Sequence, residues 1–142
     1  MSSSSIPKPE RYRVLVVDDE PAMLDTTVAI LQAEHEVLGT QRPLEALRLV
    51  RTEDFQVVVT AWQMPVMDGM ELARSVFKLD KPIGCLLMTG QMEDFVEEVS
   101  FESRRLLGLI SKPYAPAQLL DRVRQLGRLA AMKLSVKRLR GT

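Results

Sequence analysis

A chain of 142 residues that is 46% hydrophobic and 27% charged has the size and composition of one globular domain with a buried core. It contains no apolar run of about eighteen residues and no signal-like start, so a cytoplasmic protein is expected. Its single cysteine (Cys85) and single histidine (His35) exclude an internal disulfide and a structural zinc site. The zero net charge is unevenly spread: residues 122–142 hold seven basic and no acidic residues, leaving 12 basic against 19 acidic residues before them.

The first ten residues are rich in Ser and Pro and are expected to be disordered. Val14–Val17 reads as a strand apolar on both faces, closed by Asp18, Asp19, Glu20 and by Pro21, which suits a helix start. That helix carries Leu24, Val28 and Leu31 on one face. His35, between Glu34 and Glu36, reads as a solvated or strand-edge side chain, and a short strand follows around Val37 and Leu38. Pro43 opens a second helix with Leu44, Leu47 and Val50 in period. Val57–Val59 is a third strand, and after Met64 and Pro65 comes a helix with Leu72, Ala73 and Val76. Ile83–Met88 reads as a fourth strand, Met92 to about Ser103 as a fourth helix, Leu106–Ile110 as a fifth strand, and Ala115 onward as a fifth helix carrying Leu119, Val123 and Leu126.

Five such strands alternating with five helices require a parallel sheet covered on both faces, the doubly wound α/β class. Ligands of such sheets bind beyond the carboxyl ends of the strands. The residues expected there are Asp18, Asp19, Ala61, Thr89 and Lys112. Adjacent carboxylates repel one another and are relieved by a hard cation such as Mg²⁺, while a hydroxyl and an ammonium are common partners of a phosphoryl oxygen. Together they describe a phosphoryl pocket.

Four motifs, Val14-Leu-Val-Val-Asp-Asp-Glu20, Gln63-Met-Pro-Val-Met-Asp-Gly69, Leu87-Met-Thr-Gly90 and Ser111-Lys-Pro113, make residues 11–126 resemble the receiver domain of bacterial two-component response regulators. The resemblance implies a flavodoxin-like sheet of order 2-1-3-4-5. It also implies metal ligation by Asp18, Asp19 and the Gln63 backbone carbonyl, a switch hydroxyl at Thr89, a phosphate-pairing Lys112 and a cis bond to Pro113. A histidine kinase or phosphotransfer protein upstream and a downstream partner or output domain would follow, in a signalling protein rather than an enzyme.

Three positions depart from the family pattern. Ala61 stands where Asp-x-x-Met-Pro would place the phospho-acceptor, leaving Mg²⁺ weakly held or absent. Thr60 should face the opposite side and cannot replace it. Leu109 stands at the switch aromatic position, and Arg105-Leu-Leu107 replaces the expected small residues. The intact Asp18, Asp19, Thr89 and Lys112 favour a recent or engineered Asp-to-Ala replacement, whereas Leu109 and Arg105 favour a natural degenerate receiver. Such a pseudo-receiver would act by contacts through its fourth and fifth helices and fifth strand. A small Mg²⁺-dependent phosphatase of the haloacid dehalogenase type is the alternative, although Glu20 stands where its second Asp belongs.

Residues 127–142 read as a basic helical extension. Leu129, Met132, Val136 and Leu139 fall at i, i+3, i+7 and i+10, a seam that would pair with a second copy or lead into an output domain, with Gly127 as a hinge; a frayed tail is the simpler reading. Nucleic acid would be drawn to the basic residues, but the tail has no aromatic residues to stack on bases, which argues against that partner.

Overall fold

The structure, a computed structural model, describes residues 10–90 and 106–141. Its strands are β1 (Arg13–Val17), β2 (Glu36–Thr40), β3 (Val57–Ala61), β4 (Gly84–Thr89) and β5 (Leu107–Ser111). All pair in parallel in the order β2-β1-β3-β4-β5, the doubly wound sheet expected from the sequence. The described residues form four helices rather than five: α1 (Pro21–Leu31), α2 (Pro43–Thr52), α3 (Gly69–Phe77) and α4 (Pro116–Leu139). The helix expected over Met92–Ser103, residues 1–9 of the N-terminal segment, and Arg105 lie outside the described residues.

Period-two alternation assigns the core. Val14, Val16, Val57, Val59, Leu86 and Met88 pack with Leu24 and Leu31 of α1 and Leu119, Val123 and Leu126 of α4. Leu15, Val17, Val58 and Cys85 pack with Ala46, Leu47 and Val50 of α2 and Leu72 and Val76 of α3. Helices on both faces explain why β3 and β4 are buried throughout and read as unbroken apolar runs. Proline occupies the first turn of α1, α2 and α4, where its missing N–H removes no helical hydrogen bond.

Two core expectations are corrected. Leu44 is 58% exposed, because the buried stripe of α2 is set by Pro43, Ala46, Leu47 and Val50, and Leu44 lies about 100° around from Pro43. His35 is not solvated but 1% exposed. The β1–β2 register pairs Arg13 with Glu36 and so sets Tyr12 beside His35. The Tyr12 backbone N–H donates to His35 Nδ1 at 3.1 Å, and the two rings stack at 5.6 Å. Burial lowers the imidazole pKa and keeps it neutral, the form in which Nδ1 can accept.

The helix α4 runs unbroken through Gly127, so the expected hinge is instead a packing contact: a Cβ there would lie 2.4 Å from Tyr12 Cδ2. Arg128 pairs with Glu10 at 3.0 Å, Ala130 is buried, and Lys137 Nζ reaches Asp80 at 2.8 Å, which lays the extension along the body. Alanine is favoured over glycine by about 1 kcal/mol inside a helix, but the ring contact opposes it. Gly127→Ala is therefore expected to destabilise by about 1–2 kcal/mol in urea unfolding, and to stabilise once Tyr12→Ala has removed the ring. The same sign in both backgrounds would show that Tyr12 is not what holds this position to glycine. Among the described residues no helix is long and apolar enough to cross a membrane.

Candidate functional site

Adjacent strand ends are tied together by Trp62 N–H donating to Met88 O at 3.0 Å and Lys112 N–H to Thr89 O at 2.8 Å. Asp18 N–H donates to Thr40 O at 3.2 Å, which fixes the start of the β1–α1 loop. The loops enclose a cleft of about 100 Å³ lined by Asp18, Asp19, Ala61, Gln63, Thr89 and Lys112, together with Glu20, Trp62, Met88 and Gly90. Every cleft residue expected from the sequence is thus brought to one place. Leu109, two residues back on β5 from Ser111, is instead partly buried against Trp62, Met70 and Leu87.

Asp18 is 1% exposed. Its Oδ1 accepts the Glu20 N–H at 3.0 Å, while Oδ2 is buried with no hydrogen-bond partner among the described residues. Burial pushes the carboxyl pKa up, against the pull of the Glu20 N–H and Lys112, and the charges of Asp19 and Glu20 add to the rise. Asp19 is half-buried and Thr89 is buried at the end of β4. Ala61, 5% exposed, places a methyl among these groups. Thr60 does not line the cleft: its Oγ1 donates to Ala61 O at 2.9 Å and lies 4.0 Å from Met64 Sδ.

The β3–α3 loop is shaped by a close backbone approach at Gly69, a helix cap at Asp68 and a tight turn at Val66. Gly69 N–H donates to Trp62 O at 2.7 Å, and a Cβ on Gly69 would lie 2.3 Å from Ala61 O, so only glycine fits. Asp68 caps α3 by accepting the Glu71 N–H at 2.8 Å, and Glu71 returns a bond to the Asp68 N–H at 3.2 Å. Between them and Gln63, Val66 has φ +73° in a tight turn closed by Met67 N–H to Pro65 O at 2.8 Å. That conformation is costly for a β-branched residue. A valine gives no sign of it in the sequence. The Lys112–Pro113 peptide is cis.

The donor set suits a small hard cation. Asp18 and Asp19 offer carboxylate oxygens to the cleft that Gln63 also lines, and the unpartnered Asp18 Oδ2 is an atom a cation would satisfy. Among the described residues no three His, Cys, Asp or Glu side chains are grouped to hold a metal, so a cation here would rest on two carboxylates, a carbonyl and water.

Because the folded state holds the Asp18 proton more tightly than the unfolded chain does, its stabilising effect is complete below the ordinary carboxylate range. It is lost as pH rises through the raised value. In metal-free buffer Asp18→Asn is expected to raise stability at neutral pH by about 1 kcal/mol and to remove that pH slope. Chemical unfolding at pH 4 and pH 7 checks both, and an Asn variant less stable at pH 7 would refute the burden assigned to this charge.

A family model described as the response regulator receiver domain matches residues 14–124. The chain is 31% identical over 125 residues to the transcriptional regulatory protein CutR of Streptomyces coelicolor, covering 86% of this chain and 56% of that protein. It is equally 31% identical over 125 residues to CreB of Escherichia coli, covering 82% and 51%. The chain thus spans about half the length of these curated relatives. Among solved structures it is similar to one titled adenylate cyclase from Rhodopirellula baltica, with TM-score 0.83 and 21% identity over 94% of this chain and 99% of that one, a likeness of fold alone. The chemotaxis response regulator CheY4 of Vibrio cholerae matches with TM-score 0.68 and 25% identity, over 82% of this chain and 99% of that one.

Proposed function

The chain belongs to the response regulator receiver family, and on that premise we propose that it is a receiver whose phospho-acceptor position is held by Ala61, so that it signals by protein contact without taking a phosphoryl group. The observation carrying this reading is the methyl of Ala61 at the end of β3, in the cleft lined by Asp18, Asp19, Thr89 and Lys112. Transfer of a phosphoryl group needs an oxygen nucleophile to attack phosphorus, and a methyl has no lone pair. The buried Thr60 hydroxyl, already donating to Ala61 O, is no substitute.

Asp18, Asp19 and the Gln63 carbonyl would hold Mg²⁺, which when bound supplies positive charge for phosphoryl oxygens. The Lys112 ammonium and Thr89 hydroxyl would face the same oxygens. Leu109, packed against Trp62, Met70 and Leu87, occupies the switch position with an aliphatic side chain that cannot hydrogen-bond as a tyrosine would. In this reading residues 11–126 form the receiver body and 127–142 an extension, and the contact surface includes β5 and α4. A histidine kinase or phosphotransfer protein would be the upstream partner of a form carrying aspartate at position 61.

With acetyl phosphate and Mg²⁺ the chain is expected to keep its mass in electrospray spectra, and a stable adduct would overturn the reading. Mg²⁺ affinity should be on the order of tenfold weaker than in Ala61→Asp. Trp62, buried beside position 61, reports the titration by its fluorescence. Equal affinities would remove position 61 from the metal site.

A further inference from the structure

The outer face of α4 beyond the receiver-like body is apolar and open. Leu129, Met132, Val136 and Leu139 are 47, 63, 46 and 87% exposed, and with Lys133, Lys137 and Arg140 the first three line a groove of about 530 Å³. Their spacing of i, i+3, i+7 and i+10 makes a narrow seam of the kind that accepts knobs from one partner helix. A flank of the same helix rests on the body, where Ala130 is buried and Lys137 at the edge of the groove pairs with Asp80, so the seam is presented on an anchored element.

Charge selects the partner. Between Leu129 and Arg140 there are four basic and no acidic residues. Of those that line the groove, Lys137 is paired with Asp80, while Lys133 and Arg140 have no ion pair among the described residues. A second copy would bring the same cations against these across a seam of less than two heptads, and like charges so placed oppose pairing. An anionic membrane would meet the cations, but membrane-surface helices present a broad apolar arc, whereas this one is a seam four residues long beside a body of net −7.

We propose that this seam docks an amphipathic helix of another protein, with leucine-like residues facing Leu129, Met132 and Val136 and with Glu or Asp flanking them to meet Lys133 and Arg140. The proposal does not depend on the chemistry at Ala61.

The test uses the full chain and a designed 21-residue helix with Leu at a and d and Glu at e and g, labelled for fluorescence anisotropy. A scrambled peptide and a Lys-flanked peptide are the comparisons. Binding to the Glu-flanked peptide is expected to weaken at least tenfold with Met132→Asp plus Val136→Asp, and to weaken as salt is raised. Lys133→Glu plus Arg140→Glu should shift preference to the Lys-flanked peptide. All four positions are exposed, and circular dichroism with unfolding curves confirms that the variants stay folded. Equal binding of the scrambled or Lys-flanked peptide by the unaltered chain would overturn the proposal. So would self-association that strengthens with salt and displaces the peptide, or tighter binding to vesicles of equal phosphatidylserine and phosphatidylcholine than to the peptide.

Discussion

Ala61→Asp, incubated with acetyl phosphate and Mg²⁺, is expected to gain one phosphoryl group that hydroxylamine removes. The new carboxylate oxygen attacks phosphorus, the bond from phosphorus to the acetate oxygen breaks, and acetate leaves. On the proposed reading the step would take place in the cleft that position 61 lines together with Asp18, Asp19, Thr89 and Lys112. The substitution also sets a third carboxylate beside Asp18, whose burial already disfavours ionisation. Without metal the variant should therefore be less stable than the parent, by on the order of 1 kcal/mol, and Mg²⁺ should restore the loss through binding to the folded state alone. Mass spectrometry reads the label and thermal unfolding reads the rescue. Lys112→Ala in the same background should slow labelling by removing the cation opposite the phosphoryl oxygens. An Ala61→Asp variant that binds Mg²⁺ but stays unlabelled would shift the defect to another position, with Leu109 the first to exchange for tyrosine.

The sheet is legible in the sequence where burial on both faces leaves no alternation to misread: Val14–Val17, Val57–Val59 and Ile83–Met88 each announce a central strand. The edge strand β2 is announced only at Val37 and Leu38, because Glu36, Leu38 and Gly39 are exposed and the apolar signal is short. The cleft is legible because parallel topology brings strand-end residues together whatever the loops do, so Asp18, Thr89 and Lys112 need only correct strand ends. What stays hidden depends on partners distant in the chain. His35 reads as solvated between two glutamates until the β1–β2 register sets it beside Tyr12. Gly127 reads as a hinge until Tyr12, more than a hundred residues earlier, is found against it. Val66 carries a left-handed backbone that its side chain gives no reason to expect.

Gly69→Ala should be the most damaging single-methyl change near the cleft. The added carbon would sit 2.3 Å from Ala61 O and 3.0 Å from Trp62 Cα, and both neighbours are backbone, which cannot rotate aside as a side chain can. Relief requires α3 to back away from β3, and that move would break the 2.7 Å bond from Gly69 N–H to Trp62 O and drag on the residue that precedes it, Asp68, the cap of α3. A cost of about 3 kcal/mol is expected, with a fall in Tm of about 10 °C for a domain of this size. Asp68→Ala separates the two causes, since it removes the cap but not the close approach and should cost about 1 kcal/mol. Placed in the Ala61→Asp background, Gly69→Ala should also suppress phosphoryl labelling at temperatures where the protein remains folded, because the carbonyl that must yield belongs to residue 61 itself. Asp68→Ala should leave labelling nearly unchanged. If Gly69→Ala proved as mild as Asp68→Ala in both stability and labelling, the end of β3 would be free to shift, and the rigid placement of position 61 in the cleft would have to be abandoned.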